Sequence, residues 1–163
     1  MSTANFFGFG LNAVDGKSRL SIPADFRTTL AARGSARTVL IGPGHAGRPC
    51  LMAYDESHNS RLRDDFLARH PGGATTREAY DENMSLSGFM QKFGIDDAGR
   101  IVVSDRLKRM GGIGTHVWFI AGFDYFELWD PWTFLEQATL NPVQRAVVEG
   151  ELEARGLPLE RPA

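Results

Sequence analysis

An α+β fold with two pseudo-symmetric β units and flanking helices is what this sequence predicts, on three observations. The stretch Asp15-Gly16-Lys17-Ser18-Arg19-Leu20-Ser21-Ile22-Pro23 returns 81 positions later as Asp96-Asp97-Ala98-Gly99-Arg100-Ile101-Val102-Val103-Ser104. Both copies lead, in the same order, into a short helical stretch, an apolar run and a second alternating run, so the repeat extends beyond one motif. Apolar and polar residues alternate after each turn, placing Leu20 and Ile22 on one strand face and Arg19 and Ser21 on the other.

Taken in order, Asp-Gly opens a tight turn into the strand Arg19–Ile22. A helix over Ala24–Ala32 follows Pro23 and stops at Gly34. Strands are expected at Thr38–Ile41 and Leu51–Asp55, so a unit reads strand, short helix, strand, strand. Two helices, Ser57–His70 and Thr75–Phe93, flank the breaker Pro71-Gly72-Gly73. The second unit repeats the order with a strand from Arg100, the helix Asp105–Met110 ending at Gly111-Gly112, and strands Val117–Ile120 and Phe126–Asp130. Helices Trp132–Ala138 and Pro142–Arg155 come next, and the proline-flanked end is expected to fray. The organisation is thus 6–56 for the first unit, 57–93 for a helical connector, 94–131 for the second unit, 132–156 for C-terminal helices and 157–163 for a tail.

Composition narrows the function. The 163-residue chain is 42% hydrophobic and 23% charged, an ordinary globular balance. One cysteine, Cys50, forms no internal disulfide, and with four scattered histidines it makes no zinc pattern. The first ten residues show no basic start and long apolar stretch, no run suits a membrane, and a cytoplasmic protein is expected. Gly42-Pro43-Gly44-His45-Ala46-Gly47 matches a dinucleotide fingerprint in letters, but Pro49 and a strand follow where a helix is needed, so it reads as a hairpin loop. Gly8-Phe9-Gly10-Leu11-Asn12-Ala13 fails on the same ground. Asp124, Glu127 and Asp130 have no histidine or serine beside them, and Cys50 reads as buried filler, so no catalytic site, metal or cofactor is expected.

The repeated Asp-x-x-x-Arg is more informative. As surface ion pairs, Asp15 with Arg19 and Asp96 with Arg100 are worth about 0–1 kcal/mol each. Their recurrence at the mouth of a strand suits a second role, since a paired aspartate poses a guanidinium for a phosphate or a guanine edge. Net charge is −2 and the pI about 6.1, which weighs against nucleic acid. Yet residues 15–27 and 96–109 each carry one more basic than acidic residue.

The two signatures, with the closing Phe123-Asp124-Tyr125-Phe126-Glu127-Leu128-Trp129-Asp130, resemble the MraZ family over about Phe6 to Arg155. The resemblance implies two AbrB-like swapped-hairpin units, ring-like self-assembly, and a sequence-specific repressor. Its partner is double-stranded DNA at repeated promoter boxes of the division and cell-wall gene cluster, the protein's own gene included. It assigns DNA contact to Arg19 and Arg100; Lys17, Ser21, Arg27 and Lys108 are expected to support them at phosphates, and Asp15, Asp96 and Gly99 to shape the motif. Ser18 stands where the family's first signature has glycine, and Asp97 adds an acid to the second. A protein-interaction scaffold and an AbrB-like antitoxin are the alternatives.

Overall fold

In the computed structural model, residues 4–163 are described; Met1–Thr3, the first three of the ten residues read above for a leader pattern, lie outside the described residues. The protein is α+β. In chain order it runs β1 (Phe9–Ala13), β2 (Arg19–Ser21), α1 (Ala24–Ala32), β3 (Thr38–Pro43) and β4 (Leu51–Tyr54), then α2 (Glu56–Arg69) and α3 (Arg77–Asn83). It continues with β5 (Gln91–Gly94), β6 (Arg100–Val102), α4 (Asp105–Gly111), β7 (His116–Ala121), β8 (Phe126–Trp129), α5 (Pro131–Leu135) and α6 (Pro142–Ala154). Six strands form an antiparallel sheet in the order β1-β7-β8-β4-β3-β5, while β2 and β6 pair only with each other.

Strand pairing crosses between the copies. β1 of the first unit lies on β7 of the second, β5 of the second on β3 of the first, and β2 on β6. Leu20, Ile22, Phe26 and Leu30 of one copy and Ile101, Val103 and Leu107 of the other therefore share one core. Phe26 packs edge-on against Phe6 and Phe119 and tilts against Phe126. The period of two then divides β7 and β8 between layers. Val117 and Phe119 face this core, while Trp118 and Trp129 face a second one built with Leu11, Phe134, Val148 and Leu152 under α5 and α6. β4 lies deep in the sheet and is buried on both faces, hence its unbroken Leu51-Met52-Ala53-Tyr54.

Helix starts follow side-chain chemistry. Asp55, Thr76, Ser104, Asp130 and Asn141 each accept a backbone amide of the first turn that follows, satisfying donors no helix can satisfy itself. Gly112 caps α4 at φ +63, a left-handed position that glycine adopts without penalty.

Three expectations need correction. The helix expected over Thr75–Phe93 ends at Asn83, opens into a wide π turn at Met84–Gly88, and gives way to β5. Pairing of Gln91, Lys92 and Phe93 with Ile41, Leu40 and Val39 outweighs the helical stripe. β1 is an additional strand in a stretch to which no element was assigned, and it pairs over its whole length with β7. The tail is docked: the Trp132 indole Nε1 donates to the Pro158 carbonyl at 2.9 Å, and Arg161 Nη2 donates to Glu136 Oε1 at 2.8 Å. Among the described residues no helix is long and apolar enough to cross a membrane.

The most buried ion pair joins Arg33 Nε, at the end of α1, to Asp55 Oδ1 at 2.7 Å, with side-chain exposures of 7% and 0%. Arg33 also donates to the Ala4 carbonyl and lies over the Phe6 ring. Removing one partner strands a buried charge, so Arg33→Ala should lower unfolding free energy by about 3–5 kcal/mol. Chemical denaturation followed by circular dichroism measures it; a loss below 1 kcal/mol would mean water reaches Asp55.

Candidate nucleic-acid interface

Each signature folds as the same turn. The Asp15 amide donates to the Arg19 carbonyl and the Ser18 amide to the Asp15 carbonyl, both at 2.9 Å. Asp15 Oδ1 accepts from the amides of Lys17 (2.9 Å) and Arg19 (2.8 Å), and Oδ2 accepts from Arg19 Nε at 2.8 Å. In the second copy Asp96 Oδ1 accepts from Ala98 (3.0 Å) and Arg100 (2.9 Å), and Oδ2 from Arg100 Nε at 3.0 Å. The chemistry requires aspartate: one short carboxylate receives two amides and a guanidinium, whereas asparagine has a single oxygen and would turn donors on the arginine. Bonds from the Arg19 amide foremost, then its guanidinium, hold the Asp15 carboxyl below the ordinary carboxylate range. Asp96 is lowered in the same way, led by the Arg100 amide.

The turns meet at the β2–β6 ribbon, with Arg19 opposite Val102, Leu20 opposite Ile101 and Ser21 opposite Arg100. Leu20 and Ile101 point into the core, so Arg19, Ser21, Arg100 and Val102 line the outer face. Two backbone bonds extend the ribbon symmetrically: the Ile22 amide to the Gly99 carbonyl at 3.0 Å, and the Val103 amide to the Ser18 carbonyl at 2.7 Å. The side chains of Arg19 and Arg100 are about a third exposed, at 34% and 32%. Among the described residues neither arginine's terminal nitrogens have a hydrogen-bond partner.

The remaining expected residues divide. Lys17 is exposed in its turn and Ser21 is exposed on the ribbon. Arg27 and Lys108 are half-buried and reach the turn of the opposite copy. A Cβ placed on Gly99 would fall 2.6 Å from Arg27 Cζ and Nε, and Lys108 Nζ lies 3.2 Å from Ser18 Oγ. Gly99 takes φ +81 as its motif position requires, and Ser18 takes φ +61, a strained value for a residue with a side chain. Asp97 pairs with Arg37, whose Nη1 is 2.6 Å from Oδ1. Sequence reasoning missed Arg37, for which no local signal exists, and Asn12, whose Nδ2 donates to the Ser21 carbonyl at 2.7 Å from the unrecognised β1.

The candidates set aside are structural. The segment after Gly42 joins β3 to β4 as a hairpin. Asp124 pairs with Arg33 and Arg61, Glu127 accepts from the Trp129 indole, and Asp130 caps α5. Cys50 is buried, which pushes its thiol up to about 12.

No protein-family model matches the chain. Among known proteins it is similar to the transcriptional regulator MraZ of Aromatoleum aromaticum, 31% identical over 130 residues, covering 78% of this chain and 84% of that one. Transcriptional regulator MraZ of Beijerinckia indica is likewise 31% identical, over 78% of this chain and 76% of its own. That of Proteus mirabilis is 25% identical, over 94% of this chain and 98% of its own.

The lowered carboxyls set a pH window. A carboxyl whose folded value lies below its unfolded one stabilises the fold fully above the unfolded value, 3.8, and loses that contribution as pH falls through the folded value. Carbon-detected NMR titration should place both aspartates below 3.8, with the arginine Nε–H resonances shifting in step. Midpoints at or above that value would mean the turns open in solution.

Proposed function

The chain belongs to the MraZ family of transcriptional regulators, and on that footing we propose that it acts by binding double-stranded DNA with the outer face of the β2–β6 ribbon. The observation that carries this is the pair of arginines, each gripped at Nε by its own aspartate with the terminal nitrogens left to a ligand. B-DNA's major groove is about 12 Å wide and admits a two-stranded ribbon. Diagonal positions on such a ribbon are about 7–8 Å apart, which sets the spacing of Arg19 and Arg100. A guanidinium held in advance forgoes the ordering cost of about 0.5–1.5 kcal/mol per side chain that binding otherwise exacts. Its fork suits a guanine edge or a phosphate.

In this reading residues 6–56 and 94–131 are the DNA-facing units, the second extended back to Gln91 to include β5. Residues 57–93 otherwise remain the connector. Lys17 and Ser21 touch phosphates, which positions the ribbon without specifying sequence. The regulatory role we assign is repression of the division and cell-wall gene cluster, the protein's own gene included, at repeated promoter boxes. An acidic chain binds one box weakly. Copies joined to one another and meeting several boxes gain about 10²–10⁴-fold from effective concentration. Self-assembly is supported by β1, which forms a sheet edge beside the exposed Phe7 (66%), Phe9 (46%) and Phe123 (67%).

Fluorescence anisotropy on DNA upstream of the protein's own gene, titrated at several salt concentrations, tests the interface. Wild type should bind in a salt-sensitive manner, and Arg19→Ala/Arg100→Ala should lose binding while circular dichroism stays native. Binding no better than to random DNA would remove the regulator mechanism for this probe and bring the scaffold forward. A second measurement addresses assembly: light scattering should find several copies together, and Phe7→Ser/Phe123→Gly should reduce the copy number and the preference for three boxes over one. Equal affinity of wild type for one and three boxes would count against the multivalent mechanism.

A further inference from the structure

We infer that Arg27 and Lys108 are positioning residues, each setting the signature turn of the opposite unit, and that the two settings are unequal, so that Arg100 is held more firmly than Arg19. The functional half of this inference rests on the DNA-binding reading; the positioning itself does not.

Arg27 and Lys108 occupy matched places in the repeat, as do Gly99 and Ser18. Each basic side chain leaves its own unit and ends on the left-handed residue of the other unit's turn. On the second turn the Arg27 guanidinium fills the space where a Cβ on Gly99 would stand, with Cζ and Nε 2.6 Å and Nη1 2.7 Å from that point. Its Nε donates to the Ile22 carbonyl at 3.1 Å, and the Ile22 amide donates to the Gly99 carbonyl at 3.0 Å. Arg27, Ile22 and Gly99 thus close a circuit around the residue that precedes Arg100. Arg37 also reaches Asp97 from the first unit, as an exposed pair that adds little.

The first turn keeps the matching backbone bond, from the Val103 amide to the Ser18 carbonyl at 2.7 Å, but its side-chain lock is slighter. Lys108 reaches it through a single ammonium–hydroxyl bond of 3.2 Å to Ser18 Oγ. The place matching Asp97 is Gly16, which offers no side chain to hold and has nothing within 4 Å of its missing Cβ. The departure from glycine at position 18 is explained by its partner. A Cβ beneath a guanidinium collides, whereas the thinner lysine leaves room for one and donates a bond to the serine hydroxyl. Ser18 with Lys108 and Gly99 with Arg27 are matched sets. The consequence for recognition is a division of labour: Arg100 presents a fixed fork to one contact, while Arg19 adapts to another.

Hydrogen exchange of the arginine Nε–H groups in the DNA-free protein reads the positioning directly. Arg27→Lys keeps the charge but not the plane, and should speed exchange at Arg100 about five- to tenfold, the weight of one hydrogen bond, leaving Arg19 unchanged. Ser18→Gly/Lys108→Arg rebuilds the stronger lock on the first turn and should slow exchange at Arg19 towards the rate at Arg100. Equal wild-type rates, or no response at the opposite arginine in either folded variant, overturn the inference. On DNA, Arg27→Lys should weaken wild type and Arg19→Ala by the same factor, yet change Arg100→Ala little. If the lysine variant instead binds like wild type, Arg27 contributes charge at a phosphate and does not position the turn. Failure of wild type to bind DNA leaves the exchange result decisive on its own.

Discussion

The antiparallel contact between Arg19–Ser21 and Arg100–Val102 is the constraint on which the rest depends. Three residues on each side are too few to form an independent hairpin, so the ribbon exists only because both copies of the repeat supply a strand. Its register is set by burial: Leu20 and Ile101 sit opposite each other at 0% and 1% exposure. A slip of one residue would bring them to the surface and drive both arginines into an apolar core. The flanking amides of Ile22 and Val103, bonded to Gly99 and Ser18, close off that slip from both ends. Packing energy in the core is thereby converted into a fixed geometry at the surface.

The exchange of strands also accounts for what local pattern reading could and could not see. The turns at Asp15 and Asp96, the helices begun at Pro23 and Ser104, and the alternation in β7 and β8 all follow from residues within a few positions of one another. β1 and β5 do not. Phe9-Gly10-Leu11-Asn12-Ala13 has no β-branched residue and carries the turn-formers Gly10 and Asn12, and it becomes a strand because β7, more than a hundred positions on, presents a free edge. Gln91-Lys92-Phe93 carried the end of a helical stripe, and the open edge of β3 claimed it instead. In both cases the deciding hydrogen bonds belong to the partner strand, and no window of the sequence contains them.

The interface divides along the same line. Arg19 and Arg100 could be singled out because their restraint is local, a carboxylate four residues back. Arg27 and Lys108 read from the sequence as supporting cations at phosphates, and only the crossing of the units turns them towards Gly99 and Ser18. The overall negative charge misled less than expected. Of the acids near the ribbon, Asp15 and Asp96 are bonded to the arginines they orient, and Asp97 is engaged by Arg37.

Fusion of two units in one chain has a further physical consequence. Two identical subunits must carry the same residue at symmetry-related places, whereas joined copies are free to diverge, and these have. In the repeat, Gly99 takes the place of Ser18, Asp97 of Gly16, Ala98 of Lys17, and Lys108 of Arg27. The helix-capping aspartates after the last strand of each unit show the same freedom. Asp55 receives its cation from Arg33 at the end of α1, while beside Asp130 the corresponding place is Gly114, and the cation arrives from the C-terminal tail as Arg161. What stays equivalent is the set of bonds that defines the turn and the ribbon. What varies is the means of holding them, and that variation is confined to positions where a different side chain can reach the same backbone. A fold of this kind keeps its two-fold frame while setting its two arginines in differently built surroundings.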